Sequence, residues 1–130
     1  MHIIRDFQKD QLNNLNYFAD DLIIKNHLSR KDLREFADGR PVDINFRNLI
    51  GQYYTLADEY RSNTYKIIKE IKPMLEPRYQ LSLEIIFDLY LMVFERIDIQ
   101  KGKFTSEELN PTSDETKNRV YETIMNFKIS

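Results

Sequence analysis

The sequence predicts an all-α helical bundle formed by a single domain over residues 1–130. Three observations point there. Apolar residues recur at three- and four-residue steps along most of the chain, with no sustained β alternation. Three glycines and four prolines leave little material for the tight turns of a sheet. The breaks in helical periodicity fall at Asn, Gly and Pro positions that end helices.

Residues 2–14 form the first predicted helix, with Ile3, Ile4 and Phe7 on one side and Asp6 and Asp10 together on another. The cluster Asn13, Asn14 and Asn16 favours a loop, because short amides compete for backbone hydrogen bonds. After Tyr17 and Phe18, Asp20 to His27 make a short helix. Ser29 with Asp32 resembles a capping box, and Gly39, Arg40 and Pro41 read as a turn. Asp43 then caps a long amphipathic helix that runs to about Lys72 and stops at Pro73. Its stripe includes Phe46, Ile50, Tyr53, Ala57, Tyr60, Ile67 and Ile71, with Tyr53, Tyr54 and Tyr60 read as packing residues whose hydroxyls reach the rim.

Pro77 suits the first turn of the next helix, predicted to continue to about Gln100. Apolar residues cover most of its circumference, so residues 80–97 are expected inside the structure, with neighbours on every side. One other long helix and short pieces cannot supply them all. The bundle is therefore expected either to pair with another chain, as a homo-oligomer or with a different partner, or to lack a part. Residues 103–118 read as a polar surface connection, and Ser106 or Ser113 is expected to cap a last helix holding Val120, Tyr121, Ile124 and Met125.

Composition narrows the function. With 42% hydrophobic and 31% charged residues and no long apolar run, an integral membrane protein is excluded, leaving at most peripheral membrane contact. A net charge of -2 without a basic block disfavours a nucleic-acid partner. The absence of cysteine excludes disulfides, thiolate zinc sites and cysteine nucleophiles, and a cytoplasmic location is the expectation from an N-terminus without a secretory signal. Any chemistry must rest on carboxylates, hydroxyls and amines carried by helices.

Asp6 and Asp10 stand one helical turn apart, a spacing at which two carboxylates can hold a hard divalent cation while a substrate phosphate completes the shell. Carboxylate pairs at this spacing are also common on solvated helix faces, where Arg5 and Lys9 would simply neutralise them. The run Ile4-Arg5-Asp6-Phe7-Gln8-Lys9-Asp10, followed by Tyr17-Phe18, resembles the second aspartate-rich motif, R-D-x-x-x-D, of the squalene and phytoene synthase family. The order of later features extends the resemblance over roughly residues 1–105: Phe46 opening a long helix with Tyr53-Tyr54, a Pro-containing break, then Leu89-Tyr90-Leu91 leading to Glu95-Arg96-Ile97.

The resemblance implies the C-terminal part of an isoprenoid synthase fold and an enzyme that joins two prenyl diphosphates head to head with Mg2+. It further implies that Asp6 and Asp10 act as metal ligands, that Arg5, Asp6, Asp10 and Tyr17 bind substrate diphosphate, and that Tyr17 acts in a later catalytic step. Departures are visible. His2 stands where the family usually has a metal-binding Asn, Asn14-Leu15 replaces a Gly-Arg pair, Lys9 occupies a commonly acidic position and Ala19 replaces a Pro. The family's first aspartate-rich motif has no counterpart, so prenyl diphosphate would be bound only if an N-terminal half completed the site, and the chain alone is expected to be inactive. The alternative expectation is a non-catalytic helical interaction module derived from the same fold.

Overall fold

A computed structural model describes residues 1–130, all helix and loop with no strand. In chain order the elements are α1 (His2–Arg5), α2 (Phe7–Leu12), α3 (Asp20–Lys25), α4 (Arg30–Ala37), α5 (Ile44–Ile71), a 3-10 turn (Lys72–Met74), α6 (Pro77–Glu95), α7 (Ser106–Leu109) and α8 (Ser113–Asn126). Two regions follow from how apolar residues are distributed among them. A head of short helices surrounds the first half of α5, and a stalk is formed by the second half of α5, α6 and α8.

The head holds the core. Ile4, Phe7, Phe18, Ile23, Leu33 and Phe36 converge on Phe46, Leu49 and Ile50 of α5. Phe46 is fully buried, with ring centroids of Phe7, Phe36 and Phe104 at 4.8, 4.9 and 5.7 Å. Local signals hold the short helices in place. Ser29 and Asp32 form the expected capping box, Gly39 takes a left-handed φ of 111° just past α4, and the Asp43 carboxylate accepts the Phe46 N–H at 2.9 Å to start α5. Exposed ion pairs, Arg30 with Asp20 and Arg40 with Asp32 and Glu35, decorate this surface.

Helices α5 and α6 run antiparallel through the turn at Lys72–Met74 and meet through large aromatic rings, Tyr54 on Phe94 at the edge of the head and Tyr65 on Phe87 in the stalk. Helix α8 packs along α6, where the Thr123 hydroxyl donates to Asp88 at 2.7 Å and Arg119 pairs with Glu95 at 2.9 Å. Lys72 pairs with Glu84 beside the chain terminus.

Several sequence expectations are corrected. The first helix is interrupted at Asp6, whose φ and ψ of -96° and 9° leave the helical well, giving α1 and α2. The end of the long helix needs no correction: it stops at Ile71 with Lys72 as its C-cap, as expected, and Pro73 lies in the 3-10 turn that follows. Helix α6 ends at Glu95 and does not reach Gln100, because Asp98 accepts the N–H groups of Gln100 and Lys101 and so offers the backbone a competing turn. The last two helices are capped by Thr105 and Thr112, not by Ser106 or Ser113. Each Thr accepts an N–H from a Glu three residues on, Glu108 or Glu115. Residues 103–118 are no mere surface connection, since Phe104 and Leu109 are buried in the head core. Helix α6 is not enclosed: only Gln80, Met92, Val93 and Phe94 are buried, and Ile86 is 65% exposed. Its neighbours α5 and α8 cover two sides and leave a third open. Among the tyrosines, Tyr53 and Tyr54 pack as expected, whereas Tyr60 is largely exposed.

Candidate functional site

The candidate residues from the sequence lie at the outer edge of the head. Helices α1 and α2 turn Ile4, Phe7 and Gln11 inward, where all three are buried. This anchoring leaves Asp6 and Asp10 half-buried on the remaining side. The break at Asp6 does not separate them, because the Asp10 N–H donates to the Asp6 carbonyl at 2.8 Å and preserves the one-turn relation.

Their electrostatic settings differ. Arg5 grips Asp6 with two donors, Nε to Oδ1 at 3.0 Å and Nη2 to Oδ2 at 3.1 Å, and Nη2 also lies 2.7 Å from His2 Nδ1. The hydrogen-bonded Arg5 guanidinium holds the Asp6 carboxyl below the usual carboxylate range, partly opposed by burial. Asp10 makes no ion pair and its carboxylate accepts no hydrogen bond from the protein. Arg5, assigned to diphosphate by resemblance, is thus directed at Asp6.

Tyr17 follows the loop that closes α2. Asn14 takes a left-handed φ of 60°, and the Asn16 side chain bridges Gln11, the Phe18 N–H and the Phe18 carbonyl. Phe18 inserts into the core against Phe7 and Tyr53, which turns the neighbouring Tyr17 outward to 59% exposure. The structure therefore brings Arg5 and Asp6 into contact and sets Asp10 one turn away, while Tyr17 stands on the adjoining loop without a hydrogen bond to either carboxylate.

As a test of fit to Mg2+, the pair supplies oxygen donors of the right chemistry for part of a shell. No group of three or more His, Cys, Asp or Glu side chains converges here or elsewhere. Two carboxylates fit an ion that keeps waters and takes its other oxygens from a diphosphate, not an all-protein cage.

One feature has no sequence signal. A cleft of about 410 Å³ lies between the α4–α5 turn and residues 101–105, with Gln8, Arg40, Arg47, Lys101 and Lys103 on its walls. Arg47 is engaged in bonding the Ile99 and Gly102 carbonyls, and Arg40 in bonding Asp32 and Glu35. These residues come together only through the docking of the 97–105 segment on α5, which no local spacing reveals.

No family model matches the chain, and comparison with curated proteins and with solved structures finds no match either.

Proposed function

We propose that the chain supplies one carboxylate-bearing side of a magnesium-dependent site that joins prenyl diphosphates. The observation that carries this reading is the placement of Asp6 and Asp10 one turn apart on the exposed side of α1–α2, with Asp10 free of any neutralising cation. Bound Mg2+ would supply Lewis-acid stabilisation of charge on a departing diphosphate. Asp10 would meet the metal directly, and Asp6 would do so on exchanging Arg5 for the ion. The released guanidinium then lies beside the anion, where its donors suit phosphate oxygens. Tyr17 presents a phenol from the next loop. A single carboxylate pair engages a diphosphate from one side only, so the residues facing it must come from a further helical layer.

The test is a titration of magnesium with inorganic pyrophosphate, followed by phosphorus NMR. Magnesium-dependent binding is expected in the millimolar range, lost in Asp10→Asn and weakened in Asp6→Asn, with helical circular dichroism unchanged. Binding that is the same in all three proteins, or no binding at all, overturns the reading. Farnesyl diphosphate should release no diphosphate with this chain alone and should release it when a second carboxylate-bearing helical segment is supplied.

A further inference from the structure

The cleft between the α4–α5 turn and residues 101–105 is lined by cations and by no carboxylate. Arg40, Arg47, Lys101 and Lys103 stand on its walls. The acidic residues around it are engaged elsewhere. Asp32 and Glu35 accept from Arg40 at 2.8 and 3.0 Å, and Asp43, which caps α5, has its second oxygen 3.8 Å from the same guanidinium. Asp98 accepts the N–H groups of Gln100 and Lys101, and Glu108 those of Lys103 and Phe104. Asp38 and Glu107, the remaining acidic residues of these segments, lie outside the walls. Arg40 is thereby neutralised by direct contact. Arg47, Lys101 and Lys103 have no carboxylate partner, so three cations without ion pairs line one cavity.

Arg47 is the fixed member of the three. Its Nη1 donates to the Ile99 and Gly102 carbonyls at 3.1 and 2.9 Å, and its guanidinium carbon lies 5.9 Å from the Phe104 ring centre. Nε and Nη2 donate to no protein atom. A guanidinium held in place with donors to spare suits an oxyanion, and the two exposed lysines add point charges on flexible stems.

We propose that this cleft binds a phosphate monoester of a small, hydroxyl-rich molecule, without a metal ion. Charge favours phosphate over carboxylate, since an ester phosphate carries about -1.5 to -2 near neutral pH and so matches a group of cations better. Size favours an ester over the free ion. The cavity, about 410 Å³, falls in the range of small-molecule sites, roughly 300–1,000 Å³, and leaves room beyond a phosphate group. Its walls set the character of that remainder. Phe36 and Val42 are the apolar groups, and the Thr105 hydroxyl accepts the Glu108 N–H, which leaves its own hydrogen for a ligand oxygen. The site is separate from the carboxylate pair. Gln8 lines the cleft from α2 and stands two residues from both Asp6 and Asp10, which at about 100° per residue directs it away from each.

Titration of the full chain with ribose 5-phosphate, followed by amide shifts with EDTA present to exclude magnesium, tests the proposal. Saturable binding in the low millimolar range is expected, with shifts centred on residues 39–43, 47 and 101–105. Inorganic phosphate should bind at the same amides severalfold more weakly, and ribose should cause no shift. Lys101→Gln combined with Lys103→Gln alters two exposed side chains that hold nothing in the fold, and should weaken binding roughly tenfold or more. Lys25→Gln combined with Lys66→Gln removes the same charge at exposed positions elsewhere and should leave binding unchanged. An absence of saturable binding, shifts spread over the surface, equal losses in the two double variants, or ribose 5-phosphate bound no more tightly than inorganic phosphate would each overturn it.

Discussion

The Tyr53 hydroxyl accepts the Ala19 N–H at 2.8 Å, and the Tyr53 ring meets Phe18 edge-on at 5.0 Å. One side chain of α5 therefore holds the loop from which Tyr17 projects. Tyr53→Phe keeps the aromatic contact and removes only the acceptor. Because Ala19 is exposed, water can replace the lost partner, and the expected destabilisation is about 0.5–1.5 kcal/mol. Chemical denaturation checks this value. Faster amide exchange should follow around residues 16–19, with α8 unchanged.

Phe46 is the keystone of the head, touched by three other phenylalanine rings and fully buried. Those rings come from α2, α4 and the segment before α7, so its removal opens a cavity shared by distant parts of the chain. Phe46→Ala should cost about 3–5 kcal/mol, read as a lowered denaturation midpoint with reduced protection of α2 and α4 together. Phe46→Leu should cost less, because most of the volume is retained.

Much of the fold was legible where the deciding signal is local. The capping box at Ser29, the left-handed Gly39 and the Asp43 cap each act within four residues, and the apolar periodicity of α5 follows from its own stripe. Illegible features depend on contacts between remote segments. Phe104 and Leu109 sit in a stretch rich in charge and hydroxyls, and their burial requires the 97–109 segment to fold back over α5. The apolar circumference of α6 predicts enclosure, yet hydrophobicity reports a tendency to be covered and not the presence of a cover. At the candidate site, the spacing of Asp6 and Asp10 was plain in the sequence. The grip of Arg5 on Asp6 was not, since adjacent residues on a helix need a local break to face each other, and that break is at Asp6 itself.

Gly102 is required by a close approach. A Cβ there would lie 2.5 Å from the Asp98 carbonyl oxygen, a backbone atom that cannot swing away. The same residue offers its own carbonyl to Arg47 at 2.9 Å, and its N–H donates to Asp98 at 2.9 Å. Gly102→Ala must therefore shift the loop that places Phe104 in the core. A loss of about 2–3 kcal/mol is expected, seen as a lower thermal midpoint. Arg47→Met should add little in the Gly102→Ala background, because the two substitutions break the same connection.

The Arg5 and Asp6 pair gives the site a distinct pH signature. Arg5 lowers the Asp6 pKa in the folded state, so the pair contributes stability above the ordinary carboxylate value of about 4. That contribution is lost as the pH falls through the lower folded value, where Asp6 gains its proton. Arg5→Gln removes the cause of the shift. The stability difference between wild type and Arg5→Gln should be constant at neutral pH, shrink below about pH 4 and vanish once Asp6 is protonated in the folded protein as well, measured by urea denaturation from neutral pH into acid. A difference that persists undiminished in acid would show that Arg5 stabilises α1 by some means other than the Asp6 charge. The substitution also leaves both Asp6 oxygens open to a cation. Arg5→Gln should accordingly bind magnesium severalfold more tightly than wild type in the absence of pyrophosphate. With pyrophosphate present the advantage should narrow, because the guanidinium displaced from Asp6 in wild type is then available to the anion.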